Sequence, residues 1–379
     1  MASKEQAKKV LLVADNDANR EILKYNEQVE NYNALVIKYN GSRVPVAGGK
    51  YSGRTITNID EVEINPNGKY AYGVDIGGTT VKIGYFSTGG ELLDKWEIPT
   101  VKTNQGEQIL PDIAKSIKEH MAKKNITFDD LTGVGMGAPG PVDGLGVIYG
   151  AANLGWGTFN ISKRMSELLN GICVKSGNDA NVAALGEMWK GGAQGYHHVV
   201  AITLGTGVGA GVISNEKILA GCIGAAGEVG HIHVVDDEPD SCGCGNQGCL
   251  EQYASATGVV KMAKRMLEKS KKESSLRSLK EITAKDVWDA VKAGDELAKE
   301  LAEEFGKLLG KGLSFVADVV NPEIFVIGGG VSKAGNVLIE YCQKYYVKYV
   351  FKGSRDAKIV LAALGNDGGI YGAAKLVIE

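Results

Sequence analysis

Proline is scarce in this 379-residue chain, with 8 residues, and neither sign of charge dominates, since 42 Lys and Arg against 45 Asp and Glu give a net charge of −3. A chain so close to neutral has no general attraction for nucleic acid or for an anionic membrane. No apolar run approaches the roughly 18 residues that span a bilayer. The polar residues 1–9 are not followed by a signal-peptide core. We therefore expect a cytoplasmic protein without nucleic-acid or membrane partners.

Glycine is abundant instead, with 52 residues, which indicates many tight turns and places where the backbone approaches a ligand. The length suits two or three domains. Three of the six cysteines crowd together at Cys242, Cys244 and Cys249. In a cytoplasmic protein such a cluster indicates metal binding or catalysis rather than disulfides.

The first 69 residues differ from the rest of the chain. Between Ile22 and Tyr39 an apolar or aromatic residue recurs at alternating steps of three and four, which is heptad spacing. This spacing predicts a helical extension, followed by a linker or small hairpin over 41–69. The helix either lies on its own domain or forms a coiled coil with another copy. The second alternative predicts a homodimer or a higher homo-oligomer.

Alternating strand and helix patterns after the extension predict an α/β fold. A strand, a glycine turn and a second strand occur twice, at 72–86 and 199–213. This repetition indicates a duplicated architecture of two lobes around a central cleft. We assign the smaller lobe to 70–181, joined by a C-terminal helix at 366–379, and the larger lobe, with the cysteine-rich segment, to 182–365.

The first glycine turn carries groups suited to phosphate binding. Backbone N–H groups at its tip can approach phosphate oxygens because glycine has no side chain. Threonine hydroxyls and a lysine would add donors and charge, and the aspartate at the strand end is placed to hold Mg²⁺ through water. A simple glycine hairpin is the alternative. The candidates are Asp75, Gly77, Gly78, Thr79, Thr80 and Lys82.

Two further glycine-rich segments extend this interpretation. The second turn, with Thr206 and Gly207, occupies the same position in its repeat as the first turn does. The pair therefore predicts a clamp for a nucleoside triphosphate. Gly329 and Gly330 follow a predicted strand and suit close packing against the adenosine part of a nucleotide. A tight strand-to-helix turn is the alternative for this last segment.

A polar segment between a predicted strand and a predicted helix contains Asn178 and Asp179. Ligands of α/β proteins bind at the carboxyl ends of strands, which is where this segment lies. Asp179 would accept a hydroxyl proton as that oxygen attacks phosphorus, and Asn178 would orient the substrate. Capping of the following helix is the alternative for both residues.

One histidine and the three clustered cysteines match a tetrahedral structural zinc site. His231 precedes Cys242 by 11 residues, an interval that a loop can close. His233 is a competing fourth ligand. The predicted ligands are His231, Cys242, Cys244 and Cys249.

Two carboxylates flank this cluster in the sequence. Glu228 lies three residues before His231, and Glu251 lies two residues after Cys249. Two carboxylates and an imidazole beside a metal would form a site for a polyol. Surface charge is the alternative.

Together these motifs resemble the ROK family of sugar kinases and regulators, within the actin-like ATPase (ribonuclease H-like) fold. The resemblance covers 70–379. It rests on Asp-Ile-Gly-Gly-Thr at 75–79, Gly-Ala-Pro-Gly-Pro-Val-Asp at 137–143, Gly-Asn-Asp-Ala-Asn at 177–181, Glu-Val-Gly-His at 228–231 and the cysteine-rich 242–251. For bacterial glucokinases in particular it rests on 254–258 and 364–369.

The resemblance implies transfer of the γ-phosphoryl group of ATP to the 6-hydroxyl of glucose, with Asp179 as the base and with Mg²⁺ and a structural Zn²⁺. It implies phosphate contacts from both glycine turns and adenosine contacts from Gly329 and Gly330. His231 would bind zinc through one ring nitrogen and a sugar hydroxyl through the other. The implied sugar-binding residues are Gly137, Asn153, Asn178, Glu228, His231 and Glu251.

Two other functions compete with this interpretation. Regulators of the family carry an N-terminal helix-turn-helix, and the sequence shows none. Residues 1–40 also hold six basic and six acidic side chains, a poor start for binding DNA phosphates. A kinase for another hexose or an N-acetylhexosamine is the second alternative, because one pocket side chain can admit or reject an acetamido group.

Overall fold

The structure is a computed structural model, and it describes residues 63–378. The predicted helix between Ile22 and Tyr39 lies outside the described residues, so the prediction of self-association through it stays open. Residues from Ile64 onward form one compact unit. Within the described part of the chain, no helix is long and apolar enough to cross a bilayer.

The first half of this unit is built on a five-stranded sheet of order β3-β2-β1-β4-β7, with β5 and β6 as a separate hairpin. β2 runs antiparallel to β1 and β3, whereas β4 is parallel to β1 and to β7. Every residue of β4 is buried, as expected of a central strand covered on both faces. The strands are β1 (Tyr70–Ile76), β2 (Thr80–Ser87), β3 (Leu92–Pro99), β4 (Leu131–Ala138), β5 (Val147–Ala151), β6 (Trp156–Asn160) and β7 (Val174–Asn178).

The second half repeats this topology in a sheet of order β10-β9-β8-β11-β12. β9 is antiparallel to β8 and β10, and β11 is parallel to β8 and β12. Strand order and directions therefore match the first sheet one for one, which confirms the predicted duplication. The strands are β8 (Val199–Leu204), β9 (Val208–Ser214), β10 (Lys217–Ile218), β11 (Ile324–Gly328) and β12 (Lys358–Leu361).

Helices cover both sheets. α1 and α2 pack with the first sheet, and α4 to α8 with the second, whose core includes buried Phe305, Leu309 and Phe325. The helices are α1 (Ile109–Lys124), α2 (Ile161–Leu168), α3 (Asp179–Lys190), α4 (Glu251–Ala254), α5 (Ala256–Lys269), α6 (Ala284–Lys292), α7 (Glu296–Val320), α8 (Asn336–Tyr349) and α9 (Gly368–Lys375).

Two features differ from the sequence pattern. A single helix is predicted over 331–347, but the structure has a 3-10 turn at Val331–Ala334, a break at Gly335 with φ +82°, and only then α8. The left-handed φ of this glycine interrupts the helix. The short β5–β6 hairpin and α2 had not been predicted, because five-residue strands and an eight-residue helix carry little periodic signal.

α3 lies between the two sheets and contacts both, with α9 packed along its other side. These contacts are made at glycines, whose lack of a side chain lets the two backbones approach closely. A Cβ built on Gly372 would lie 1.7 Å from the Val182 carbonyl oxygen, and one on Gly211 of β9 would lie 2.6 Å from that of Ala180. The predicted lobe boundary after residue 181 therefore lies inside α3, and the assignment of the two lobes stays a prediction.

Substituting Gly135 of β4 tests this packing, because a Cβ there would lie 1.7 Å from the Ala373 carbonyl oxygen of α9. We expect Gly135→Ala to lower the free energy of unfolding by about 3 kcal/mol, measured by urea denaturation. At Gly144, the structure from 63 to 378 places no atom within 4 Å of the corresponding position. Its Ala variant should stay within about 0.5 kcal/mol of wild type. Equal losses in both variants would contradict the close approach of α9 to β4.

Candidate active site

The first glycine turn joins β1 to β2. Its base is held by the Gly77 N–H, which donates to the Thr80 carbonyl at 3.0 Å, and by the Thr100 hydroxyl, which donates to the Gly77 carbonyl at 2.7 Å. Beyond this base Thr79 is exposed, and no atom of the described residues lies within 4 Å of a Cβ built on Gly78. The turn thus presents a fixed, open tip, as a phosphate-binding hairpin requires.

Asp75 lies at the end of β1, opposite Lys82 of β2 and Gly137 of β4. Burial and the nearby charge of Asp179 raise the pKa of Asp75 to about 6, against the opposing effect of Lys82. The predicted magnesium ligand and the predicted base therefore lie within electrostatic reach of each other. A Cβ on Gly369 at the start of α9 would lie 2.6 Å from Asp75 Oδ2, so only glycine fits there.

Lys82 makes a contact outside the glycine turn, and its phosphate role stays a prediction. Its ammonium donates to the Asn366 carbonyl at 2.9 Å, in the turn that precedes α9. Lys95 forms an ion pair of 2.6 Å with Asp367 of the same turn. Both lysines thus attach this turn to β2 and β3.

Asn178 and Asp179 occupy the junction of β7 and α3, and the capping interpretation holds for Asn178. Its Oδ1 accepts from the N–H groups of Ala180 and Asn181 at 3.0 and 3.2 Å, and its Nδ2 donates to the Gly140 carbonyl at 3.1 Å. This amide therefore connects the start of α3 to the predicted sugar-binding loop at 137–143.

Asp179 is the first residue of α3 and is half-buried. Burial raises the pKa of Asp179 above its ordinary value, hydrogen bonds such as that from the Ala180 N–H at 2.8 Å oppose the shift, and the charge of Glu228 adds to it. A Cβ built on Gly137 would lie 3.6 Å from the Asp179 Cα. The structure thus brings Asp75, Gly137 and Asp179 together at one edge of the first sheet.

The second glycine turn joins β8 to β9 and is supported by Glu251, a link that the sequence analysis had missed. The Val208 N–H donates to Glu251 Oε2 at 2.8 Å, and a Cβ built on Gly207 would lie 2.3 Å from the same oxygen. The Thr257 hydroxyl donates to the Thr206 carbonyl at 2.5 Å. Glu251 therefore contacts the predicted phosphate turn, and it was predicted as a sugar ligand.

The four predicted metal ligands come together, with all ligand atoms within 4.8 Å of one another. Tetrahedral Zn²⁺, with bonds of about 2.3 Å to sulfur and 2.05 Å to nitrogen, puts two sulfurs about 3.8 Å apart and a sulfur and a nitrogen about 3.6 Å apart. The Sγ atoms of Cys244 and Cys249 are 3.7 Å apart, and Cys242 Sγ is 3.6 Å from His231 Nδ1. The donor set therefore fits this ion.

The contacts of the two histidines in this segment show which of them is available to a metal. His231 Nε2 is 3.9 Å from Glu228 Oε2, so its two ring nitrogens face the cysteines and a carboxylate, as predicted for a bridging imidazole. His233 instead contacts the Gln247 carbonyl through Nδ1 and Asp236 through Nε2, each at 2.9 Å. With both nitrogens engaged, His233 is not the fourth ligand.

An ion-pair cluster anchors the metal segment, which is the stretch 231–249 that contains the proposed metal ligands, to α5. The sequence motifs had not indicated this cluster. The buried Glu238 carboxylate accepts two hydrogen bonds from Arg265 at 2.7 and 2.8 Å and one from the Tyr253 hydroxyl. These contacts hold the pKa of Glu238 well below its ordinary value, chiefly through Arg265. A bidentate guanidinium fixes orientation as well as distance.

Two predicted binding residues lie at the margin of this arrangement. Asn153 is exposed, in a 3-10 turn between β5 and β6. Gly329 has φ +84°, and a Cβ there would lie 2.5 Å from the Leu204 carbonyl oxygen, so packing alone requires glycine. The adenosine role of Gly329 and Gly330 stays a prediction.

A cavity of about 710 Å³ lies between the start of α1 and α2. Trp156, Phe159 and Leu110 contribute apolar walls, with Lys163 and Glu167 among the polar lining residues. None of the predicted site residues lines it, so this cavity is separate from the site around Asp179.

Glu187 of α3 is a further residue that the motifs did not indicate. Its buried carboxylate accepts hydrogen bonds from the N–H groups of Gly192, Ala363 and Leu364 at 2.8, 3.0 and 2.9 Å. A buried Glu inside a helical apolar pattern is the only sequence signal for it. The carboxylate fixes the approach to α9, and with it the glycine that packs on Asp75.

Known proteins resemble this chain over the same residues. The family model described as "ROK family" matches residues 71–379. A glucokinase of Halalkalibacterium halodurans is 41% identical over 82% of this chain and 95% of its own length, and a glucokinase of Thermotoga maritima is 34% identical over 81% and 96%. A ROK family glucokinase from Streptomyces griseus, solved in complex with glucose and AMPPNP, is 33% identical, with a TM-score of 0.62 over 81% of this chain and 98% of that one.

The family match covers more than half of the chain, and its span coincides with the two repeated sheets and the site described above. The repeated five-stranded sheets agree with the actin-like fold of sugar kinases that the motifs predicted. The chain belongs to the ROK family.

Proposed function

We propose that this protein transfers the γ-phosphoryl group of ATP to glucose and forms glucose 6-phosphate, with Asp179 as the general base. The observation that carries the proposal is the position of Asp179, half-buried at the start of α3 and within electrostatic reach of Asp75. The relatives described as glucokinases, and the related structure with glucose and AMPPNP, support the choice of substrates.

The base in this mechanism is a carboxylate of raised pKa. Burial and Glu228 make Asp179 a stronger proton acceptor than an exposed aspartate, while its bond from the Ala180 N–H holds it in place. Asp179 would take the proton of the 6-hydroxyl as that oxygen attacks the γ-phosphorus, and ADP would leave from the opposite side.

The nucleotide would lie between the two glycine turns. The phosphates would contact the first turn through Gly77 to Thr80 and the second through Thr206 and Gly207, and Gly329 and Gly330 would face the adenosine. Mg²⁺, when bound, neutralises charge on the transferred group, and Asp75 is the residue placed to hold it through water. Lys82, whose side chain extends from β2 to the Asn366 carbonyl, would add positive charge near the phosphates.

The sugar would bind against the metal segment. Glu228 and His231 face each other at 3.9 Å and would share sugar hydroxyls, and Glu251 would add a second carboxylate. Gly137 and Asn178 would form the wall next to Asp179, and Asn153 would close the site from the β5–β6 side. The zinc proposed at His231, Cys242, Cys244 and Cys249 is structural, because four protein ligands leave no open position.

Asp179→Asn removes the proton acceptor and keeps the size of the side chain. We expect kcat to fall by at least about a hundredfold, while glucose still binds in a calorimetric titration. A coupled assay of ADP release measures the rate. Near-normal turnover of this variant would remove Asp179 from the role of base.

The same assay with wild-type protein tests the substrate. Glucose, mannose, fructose, N-acetylglucosamine and N-acetylmannosamine are compared, and the highest kcat/KM is expected for glucose. A higher value for an N-acetylhexosamine would replace glucose in the proposal and leave the mechanism intact. Binding of a specific DNA sequence without any turnover would favour a regulator instead.

The raised pKa of Asp179 predicts an acidic limit to activity. Only the carboxylate accepts a proton, so kcat/KM should fall as the pH drops through a value above the ordinary Asp pKa of about 3.9. Glu228→Gln removes a charge that raises this pKa, so the acidic limb of the kcat/KM profile should move to lower pH. The same substitution should also weaken sugar binding. Glu268→Gln on the exposed side of α5 is the control and should leave the limb in place. A limb that is unmoved in both variants would show that Glu228 does not act on the base.

Removal of one metal ligand tests the zinc proposal. Cys244→Ser should lose stoichiometric zinc and raise the glucose KM by about tenfold, because His231 and Glu251 are oriented by this segment. Metal analysis by mass spectrometry and steady-state kinetics provide the two measurements. Cys342→Ala, at a buried cysteine of α8 outside the cluster, should keep both the metal and the KM. Freshly purified wild-type protein without zinc would overturn the proposal.

A further inference from the structure

Asn181 of α3 carries a polar atom that the fold leaves unused. The residue is 1% exposed, and its Oδ1 has no hydrogen-bond partner among the residues that the structure describes. A buried oxygen without a donor destabilises the folded state, and nearly all such groups in proteins are paired. An asparagine at this position therefore indicates a role other than folding.

The position of the amide identifies what it faces. α3 crosses β9 so closely that a Cβ on Gly211 would lie 2.7 Å from the Asn181 Cα. On the other side, a Cβ built on Gly227 would lie 3.7 Å from Asn181 Oδ1. The oxygen therefore faces the backbone that immediately precedes Glu228, a proposed sugar ligand.

The segment 219–228 that contains this backbone reaches from the loop at 137–143 to Glu228. Gly224 lies on the loop at 137–143, since its Cβ would be 2.4 Å from the backbone atoms of Val142. The segment ends at Glu228, whose carboxylate faces His231 at 3.9 Å. Three glycines with left-handed φ, at 221, 224 and 227, give it turns that other residues adopt only with strain.

We propose that Asn181 is a positioning residue for the sugar. When glucose binds, Asn181 Oδ1 accepts a hydrogen bond from the backbone N–H of Gly227 or Glu228. This bond fixes the Glu228 carboxylate against the sugar hydroxyls. The inference rests on the proposed function and names the residue that couples α3, which begins with Asp179, to the sugar-binding segment. An amide suits this place because it accepts a hydrogen bond without adding a third charge near Asp179 and Glu228.

The test uses the full chain with Asn181→Leu, which keeps the volume and removes the acceptor, and Asn181→Asp, which keeps an acceptor. We expect Asn181→Leu to weaken glucose binding in calorimetry by about tenfold. Its thermal midpoint should be unchanged or higher, because a buried unpaired oxygen has been removed. Asn181→Asp keeps the acceptor but adds a charge near Asp179 and Glu228, so it should recover only part of the affinity.

Amide hydrogen exchange of the peptide covering 225–229 reads the proposed bond directly. Glucose should protect this peptide in wild type and in Asn181→Asp, and not in Asn181→Leu. Thr132→Val is the matched control, since the buried Thr132 hydroxyl is paired with the Tyr70 carbonyl at 3.1 Å. That variant should lose stability and keep its glucose affinity.

The outcomes separate this inference from the proposed function. Wild-type protein that neither binds nor phosphorylates glucose would overturn the function. Wild-type protein that binds glucose, together with an Asn181→Leu variant of equal affinity and equal protection, would overturn only the inference. A large fall in the thermal midpoint of Asn181→Leu would also overturn it, because Asn181 would then be structural.

Discussion

The close packing of α3 against bare backbone is the constraint on which the site depends. Glycines of α9 and β9 bring both elements to within contact of the α3 backbone, since a Cβ on Gly372 or Gly211 would overlap with the carbonyls of Val182 or Ala180. One helix can therefore pack against both sheets. Because α3 begins at Asp179, this packing also determines where the proposed base lies.

The same packing places carboxylates where their charge is unfavourable. Asp75 and Asp179 are half-buried within reach of each other, and both have raised pKa values because burial disfavours the charged form. Folding alone gains nothing from such a pair, and perturbed carboxylates of this kind cluster at functional sites. The proposed mechanism would use this pair, because Asp75 would hold Mg²⁺ through water and Asp179 would accept the proton of the substrate hydroxyl.

The metal segment would connect the proposed sugar side of the site to the proposed phosphate side. Glu251 contacts Cys242 through one oxygen and the Val208 N–H of the second glycine turn through the other. Movement of the metal segment would therefore move the phosphate turn as well. The anchoring of Glu238 by Arg265 holds this connection to α5, a rigid element of the second half.

The sequence by itself determined the repeated strands, the cluster of one histidine and three cysteines, and the family, because these depend on buried periodic runs and on residues close together in the chain. Tyr70–Ile76 is a strand as predicted, and the His231 cluster forms as predicted. Only the tertiary structure decided which of several possible contacts each polar side chain makes. In the structure Asn178 caps α3, and His233 contacts groups other than the cysteines. Glu251 contacts a turn 43 residues away. The tertiary structure also left Asn181 Oδ1 buried, with no hydrogen-bond partner in the part of the chain that the structure describes. The register of packed elements sets such long-range contacts, and local patterns do not encode that register.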